Sequence, residues 1–235
     1  LATRAAPVIP GVRVSRFAVD RYEVTVARFR AYWNPPANHP PVLDQRLTYP
    51  SNRWLAWNPP AGSLTIGTAA GCNWTPAPGP NELAPMNCVS WYLAQSFCVW
   101  DGGRLPTESE WELTARGASS RPYAWGDAAP DASRLCASIE GRPLAAACRV
   151  GGFTPGATPE GVFDLAGNVR EMTADAYEDF TGRGGGCWGA AVASPDPLCQ
   201  PIRGEMRTLR GSSWEDAALA EHRAASRAPA DGTLA

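Results

Sequence analysis

The chain has 235 residues, a net charge of −2, 44% hydrophobic residues, 23 glycines and 23 prolines. Its basic residues are all arginines and they are scattered, so the sequence lacks the basic stripe that follows a nucleic-acid backbone. No apolar run is long enough to cross a bilayer, and we expect no membrane span. The glycine and proline content favours long ordered loops over a helical bundle.

The N-terminal half is predicted to hold one or two strands and two helices. Residues 12–24 alternate between apolar and polar side chains, as strands do. Thr25 can cap a first helix, "VARFRAYW", and Ser90 can cap a second, "WYLAQSFCVW". The proline-rich residues 34–87 between them show little periodicity, and we predict an extended segment that follows the surface.

A third helix is predicted over residues 107–116, with Gly117 as its left-handed stop. Thr107 and Glu110 have the spacing of a capping box, in which the hydroxyl and the carboxylate each accept an amide hydrogen of the other residue. Residues 118–160 are predicted to form another loop. Residues 161–172 mix a turn with short strands, and residues 207–214 are predicted to form a strand.

The seven cysteines favour disulfides over a metal centre, because no C-x-x-C pair occurs. Cys136 and Cys148 have the same spacing as Cys187 and Cys199, whereas Cys72 and Cys88 lie further apart in sequence. The predicted disulfides are Cys136–Cys148, Cys187–Cys199 and Cys72–Cys88. Disulfides imply an oxidising compartment, so we expect an extracytoplasmic protein that is periplasmic, secreted or on the cell surface. The alternative is a set of buried thiols in a cytosolic protein. The odd count leaves Cys98 without a partner in this chain.

Four stretches of the sequence, in chain order, carry a resemblance to a known family. They are "DRYEVTVARFRAYW" (20–33), "PMNCVSWYLAQSFCVWDGGRLPTESEWELTARG" (85–117), "GVFDLAGNVREMT" (161–173) and "RTLRGSSWEDAALAEHRAASR" (207–227), with "YAWGD" (123–127) as a smaller fifth. These stretches resemble the signature blocks of the formylglycine-generating enzymes, also called the sulfatase-modifying factor domain. The resemblance implies one α+β domain over residues 1–235, a loop-rich variant of the C-type-lectin fold with little regular structure. It also implies that the chain stops just before a closing C-terminal strand.

The chemistry of this family depends on residues that the chain does not have. Its enzymes oxidise a sulfatase cysteine to formylglycine with oxygen and a copper(I) ion, which two cysteines bind after an "RGGSW" block. Here the block is "RGSSW", no cysteine follows Cys199, and the resemblance puts Asp216 and one of residues 219–221 at the copper positions. Carboxylates are hard ligands, whereas copper(I) prefers thiolates. We therefore expect no copper, no formylglycine synthesis and no catalytic residue of the family type.

The resemblance also implies a structural calcium ion. In the family motif "GNVWEW" the Asn and the Glu bind Ca²⁺ together with backbone carbonyls, and here Asn168 and Glu171 match them, with Val169 supplying backbone oxygen. The alternative is that Asn168 simply occupies a left-handed turn after Gly167. A second family calcium site uses an asparagine that the segment "DASRLCAS" lacks.

The resemblance implies a ligand cleft around the last predicted strand. The candidate cleft residues are Arg210, Trp214, Asp216, Glu221 and His222, with Trp188 nearby. Trp214 could instead be a core residue, and His222 could be a surface residue at a helix end. An iron site would need both histidines of the chain, His39 and His222, because two histidines and a carboxylate are the minimum for that centre.

Two further departures concern cysteines. The resemblance implies that Ala115 and Ala224 stand where family members often carry a disulfide, so both partners have been lost together. It also places the partner of Cys98 in a closing segment beyond residue 235.

Together these features predict a binding or accessory domain that has lost copper-dependent oxidation. The expected ligand is an unidentified protein, peptide or glycan. One alternative is an oxidoreductase of the same family with another metal or substrate. A second alternative is a structural module of a larger secreted assembly.

Overall fold

Short helices and strands joined by long loops form the fold. The structure, a computed structural model, describes residues 12–34, 45–57, 62–178, 195–200 and 206–232, together with Ala2–Thr3, Val8–Ile9, Pro59 and Cys187. The helices are α1 Val26–Trp33, α2 Trp91–Trp100 and α3 Glu108–Arg116. The strands are β1 Ala2–Thr3, β2 Val8–Ile9, β3 Val12–Arg13, β4 Ala18–Val19, β5 Gln45–Tyr49, β6 Arg53–Trp57, β7 Glu171–Ala176, β8 Met206–Arg210 and β9 Arg227–Asp231. None of the helices in the described residues is long and apolar enough to cross a membrane.

All three helices begin where their capping residues predict. The hydroxyls of Thr25 and Ser90 accept the amide hydrogen three residues on, at 3.1 and 3.2 Å. The capping box of α3 is complete: Thr107 Oγ1 accepts from the Glu110 amide at 3.2 Å, and Glu110 Oε2 accepts from the Thr107 amide at 2.8 Å. Gly117 ends the helix with a positive φ of 62°. Each capping residue lies only three positions from the residue whose amide it accepts, which is why the sequence alone could predict where the helices start.

The central sheet has three antiparallel strands in the order β7-β8-β9. Arg210 ends β8, because Gly211 follows with a φ of 74°. The strand predicted over residues 207–214 is therefore correct at its start and too long at its end. Residues 12–24 contain the two short strands β3 and β4, as predicted.

The prediction of an extended segment without regular structure over residues 34–87 is wrong in part. Gln45–Tyr49 and Arg53–Trp57 form an antiparallel hairpin, in which Gln45 lies opposite Trp57 and Tyr49 opposite Arg53. Ser51, in the turn, has a φ of 56°. Prolines on either side of the hairpin concealed it, since proline marks strand ends as readily as irregular loops.

Aromatic side chains fill the space between α1 and α2. The buried members of this cluster are Val26, Phe29, Tyr32, Met86, Leu93 and Phe97. A second cluster forms behind α3 from Trp111, Ala115, Ala124, Val162, Leu165 and Ala224. Ala115 and Ala224, the two positions of the lost family disulfide, thus belong to one buried cluster. Hydrophobic packing therefore joins the two positions at which the resemblance implies a disulfide in relatives.

Tertiary contacts hold the first turn of α3. Arg104 donates to both carboxylate oxygens of Glu110 at 2.7 Å, and its guanidinium lies 4.4 Å from the centre of the Tyr49 ring. The buried carboxylate of Asp175 in β7 accepts from the first amide of the helix, that of Glu108, at 2.7 Å. A nine-residue helix is too short to be stable alone, and these contacts supply the missing stability.

The structure contains the three disulfides that the spacing predicts. Cys72 bonds to Cys88, Cys136 to Cys148, and Cys187 to Cys199. Cys98 is the remaining cysteine and carries a free thiol. Burial raises the pKa of this thiol to about 12, so it is not a thiolate near neutral pH.

Candidate functional site

A cleft of about 1150 Å³ opens beside the first residue of β7. Its walls come mainly from residues 16–24, 97–106, 162–172 and 213–215. Helices α2 and α3 and the loop before α1 therefore meet at this cleft, and the "GSSW" segment closes one side. Of the cleft and calcium candidates that lie in the described residues, Trp214, Val169 and Glu171 line it.

Trp214 is half-buried, and its backbone is fixed at both ends. Its amide donates to the carbonyl of Asn168 at 2.8 Å, and its carbonyl accepts from the Ser138 hydroxyl at 2.9 Å. The ring lies against Gly71, where an added Cβ would be 3.6 Å away. Trp214 is thus a rigidly placed cleft residue rather than a fully enclosed core residue. Trp188 and His39 lie outside the described residues.

Asp216, at the first copper position, is bound to a guanidinium. Arg170 Nη2 lies 2.8 Å from both carboxylate oxygens of Asp216, and the Ser213 amide donates to one of them at 2.6 Å. Burial opposes the charge on Asp216, but hydrogen bonds from Ser213, Glu221 and Arg170 outweigh it, so the pKa of Asp216 is lowered. Glu221 lies 3.7 Å from Arg170, and its hydrogen bond with Asp216 raises the pKa of Glu221. The two carboxylates therefore share one hydrogen bond and one nearby cation.

The assignment of Arg210 to the cleft is wrong, because its side chain is fully enclosed. The guanidinium donates to Glu108 at 3.2 Å, to Glu112 at 2.8 Å and to the carbonyl of Ala224 at 2.9 Å. It also lies 4.8 Å from the centre of the Trp111 ring. Arg210 thus ties α3 to β8 from inside the protein.

The interpretation of His222 as a surface residue is also wrong. The side chain is 1% exposed, and Nδ1 lies 2.7 Å from the hydroxyl of Ser212, which also accepts the Gly167 amide hydrogen at 2.8 Å. Nε2 is buried and has no hydrogen-bond partner among the described residues. Burial lowers the pKa of His222, although the charge of Asp216 opposes this effect. His222 is therefore a neutral, enclosed residue and not part of the cleft wall.

The side chain of Asn168 is committed to protein groups. Its Oδ1 accepts from the Cys148 amide at 2.8 Å, and its Nδ2 donates to Glu23 at 2.5 Å. Asn168 and Gly167 both have positive φ angles, of 59° and 80°. This arrangement agrees with the turn interpretation of Asn168, and the buried side chain does not fit the role of a calcium ligand.

The charges of three carboxylates, Glu23, Asp164 and Glu171, nevertheless influence one another beside this turn. Burial raises the pKa of Glu171 to about 7, and the charge of Asp164 adds to the effect. Burial, together with the charges of Asp164 and Glu171, raises the pKa of Glu23 well above its ordinary value. A divalent cation would relieve this repulsion, and hard oxygen ligands suit calcium. Glu171 and Asp164 each accept one protein hydrogen bond, from Trp111 Nε1 at 2.8 Å and from the Gly151 amide at 2.5 Å, so their second oxygens are the candidate ligands for a hard cation.

Sequence reasoning missed Arg170, Asp164 and Glu23. Arg170 stands at the position of the first Trp in the "GNVWEW" motif, and that substitution was the available signal. Asp164 lies four residues before Asn168 in the same motif, so its position also pointed to the turn. Glu23 is 145 residues from Asn168 in sequence, and no local pattern links the two.

These features define a loop-rich α+β domain with a large cleft, three disulfide-closed loops and an ion pair between Arg170 and Asp216. The model for the sulfatase-modifying factor enzyme 1-like domain matches residues 4–233, and the chain belongs to that family. This finding confirms the resemblance drawn from the four sequence blocks.

Relatives of known name have divergent activities. The inactive C-alpha-formylglycine-generating enzyme 2 of Mus musculus is 30% identical over an alignment that covers 91% of this chain and 69% of that protein. The hercynine oxygenase of Mycolicibacterium thermoresistibile is 31% identical over 88% of this chain, but only 46% of that protein is covered. Among solved structures, PvdO from Pseudomonas aeruginosa has a TM-score of 0.63 at 20% identity, covering 93% of this chain and 76% of that one. The structural likeness establishes a shared fold, with mixed helices and strands.

Proposed function

We propose that this protein is a member of the formylglycine-generating family that does not oxidise cysteine and instead binds a partner in its cleft. The observation that carries the proposal is the state of its seven cysteines. Six form disulfides and only Cys98 is free, so the chain offers no pair of thiolates for copper(I). The similarity to an inactive relative agrees with this interpretation.

The ion pair at the copper position supports the same proposal. Asp216 is held by Arg170 and by the Ser213 amide, so its charge is already balanced within the protein. A copper(I) ion would have to displace the guanidinium and would then meet two hard carboxylates, Asp216 and Glu221. Both steps are unfavourable for a soft cation.

The lost oxidation can be tested directly. The protein is incubated with copper(I), oxygen, a reductant and a sulfatase-derived cysteine peptide, with an active formylglycine-generating enzyme as the positive control. We expect no loss of peptide mass from conversion of the thiol to an aldehyde. Protein-dependent formation of that aldehyde would refute the proposal.

Binding in the cleft needs a separate test, because loss of one activity does not establish another. We expect a screen of peptide and glycan libraries to identify a ligand whose binding is weakened by Trp214→Ala. Trp100→Ala is the matched control, since Trp100 is 38% exposed and does not line the cleft. If every ligand found binds both variants equally, the cleft is not the binding site.

The hercynine oxygenase relative supports a second candidate, an oxidoreductase with a different metal. The buried Nε2 of His222, which has no partner among the described residues, is the one histidine nitrogen with an open coordination position there. Anaerobic titration with iron(II) tests this candidate. Stoichiometric binding that His222→Ala abolishes would favour the oxygenase, and no binding would favour the partner-binding function.

We also propose that one structural Ca²⁺ binds beside the cleft, with Glu171, Asp164 and backbone oxygen near Val169 as its ligands. The ion would stabilise the turn that holds Trp214 through the carbonyl of Asn168. Calcium that binds only the folded state adds about 2.7 kcal/mol of stability at a hundredfold excess over Kd. We therefore expect a chelator to lower the melting temperature of the wild-type protein.

Variants distinguish stabilisation by calcium at this site from a general effect of calcium or chelator on the protein. Glu171→Gln and Asp164→Asn should each remove most of the response to calcium. Asp131→Asn should keep it, because Asp131 lies on the surface in a pair with Arg134. Identical melting of the wild type in chelator and in millimolar calcium would exclude the site.

An extracytoplasmic location is part of the proposal. Three disulfides in one chain support it, because cytosolic thiols are normally kept reduced. Fractionation of cells that produce the protein, followed by non-reducing peptide mapping, tests both the location and the pairing.

A further inference from the structure

Away from the cleft, a carboxylate lies beside one of the disulfides. A carboxylate oxygen of Glu178 and the sulfurs of Cys187 and Cys199 are all within 4.8 Å of one another. Within the part of the chain that the structure describes, no other three His, Cys, Asp or Glu side chains meet this closely. While the two sulfurs are bonded to each other, they cannot act as thiolate ligands.

Two of these three donors are fixed to the central sheet. The amide of Cys199 donates to Asp175 at 2.7 Å, and its carbonyl accepts from the Ala176 amide at 3.0 Å. Asp175 and Ala176 both belong to β7. The carbonyl of Glu178, two residues beyond that strand, accepts from Arg227 Nη1 at 2.9 Å. Breaking the disulfide therefore leaves the backbones of Cys199 and Glu178 in place, since neither backbone is held only by the sulfur–sulfur bond.

The third donor, Cys187, is accessible. Cys187 is exposed, whereas every other cysteine of the chain is buried or half-buried. Thiol–disulfide exchange begins with attack of an external thiolate on a sulfur that it can reach. Cys187–Cys199 is therefore the disulfide most open to reduction.

We propose that reduction of Cys187–Cys199 creates a binding site for a divalent ion of the zinc class, with both thiolates and the Glu178 carboxylate as ligands. An external dithiol gives two electrons and two protons to the disulfide, which becomes two thiols while the dithiol becomes a disulfide. Metal binding then releases the two thiol protons to water. Ligand distances of about 2.3 Å for sulfur and 2.0–2.2 Å for oxygen put neighbouring ligand atoms about 4 Å apart or less. The carboxylate oxygen lies within 4.8 Å of both sulfurs, so it would move by at most about 1 Å, whereas the two sulfurs, once reduced, would move apart to about 4 Å.

Cobalt(II) is the probe, because its thiolate complexes absorb light where the protein does not. The full chain is tested in oxidised form and after treatment with a dithiol that is removed without air. We expect one Co²⁺ per reduced chain, with thiolate-to-cobalt absorption that Zn²⁺ displaces, and no such band in the oxidised chain. Cys199→Ser should abolish the band, and Glu178→Gln should weaken Co²⁺ binding at least about tenfold.

Controls distinguish this site from thiols released elsewhere. A variant with Cys72 and Cys88 both changed to Ser should keep the band and its affinity. Glu178→Gln retains all the cysteines, so it remains informative even if Cys199→Ser fails to fold. Equal Co²⁺ affinity in the wild type and in Glu178→Gln would overturn the proposal. Loss of the band in the Cys72 and Cys88 variant would overturn it as well.

Discussion

Replacing Arg210 tests whether a buried cation organises the region beneath the cleft. Arg210→Met removes the guanidinium that contacts Glu108, Glu112 and the Ala224 carbonyl while keeping an unbranched apolar side chain. Breaking a buried ion pair by removing one partner costs about 3–5 kcal/mol. Glu108 keeps a second cation, because Arg227 also donates to both of its oxygens. We therefore expect a loss near the lower limit, about 3 kcal/mol.

A neighbouring arginine provides the matched control. Arg116 pairs with the same Glu112, at 2.8 Å and four residues along the helix, but it lies on the surface. Exposed pairs of this kind contribute less than about 1 kcal/mol, because water and salt screen them. Arg116→Met should therefore change the stability little.

Urea unfolding followed by tryptophan fluorescence, with the disulfides intact, measures both variants. A loss of about 3 kcal/mol would lower the melting temperature by roughly 6–12 °C for a chain of this length. If Arg210→Met and Arg116→Met lose similar, small amounts of stability, the argument that Arg210 is a buried structural cation fails. The sequence-based interpretation of Arg210 as a cleft residue predicts the opposite pattern, with normal stability and impaired ligand binding.

Two further predictions concern stability and its dependence on pH. Thr107→Ala removes one half of the capping box, so thermal unfolding should show a loss of about 1 kcal/mol, and Thr107→Ser should restore it. Burial raises the pKa of Asp175 from 3.8 to about 7, so the folded state binds its proton more tightly than the unfolded state. This contribution to the unfolding free energy is therefore lost as the pH rises from about 4 to about 7, and Asp175→Asn should flatten the slope over that range. A variant with the wild-type slope would show that Asp175 is not the group responsible.

Features that depend on residues close together in the chain could be predicted from the sequence. The caps at Thr25, Ser90 and Thr107 each involve residues only three positions apart. Disulfides that close short loops join cysteines that are near each other in sequence, so the spacing of the cysteines predicted them as well. The four sequence blocks identified the family, and the family implied the fold, which composition alone could not predict.

Features that depend on distant residues could not be predicted. Arg210 and His222 follow a polar pattern that suits a surface, and only the packing of α3 and of the "GSSW" segment encloses them. The carboxylates of Glu23 and Glu171 come from opposite halves of the sequence, so their mutual repulsion exists only in the folded chain. The calcium candidates were therefore chosen by motif position, and the proposed replacement of Asn168 by Asp164 rests on electrostatics that the sequence does not show.

The groups around Asp216 show why a single substitution could not create a two-thiolate copper site there. Changing Asp216 alone to cysteine would leave Arg170 beside Glu221 and would place a guanidinium next to the new thiol. A cation near a thiol favours the thiolate, but it also repels an incoming copper ion. A two-thiolate site would therefore need changes at Asp216, at the second position and at Arg170 together. Changing Arg170 alone would leave the carboxylates of Asp216 and Glu221 together without the cation that they share.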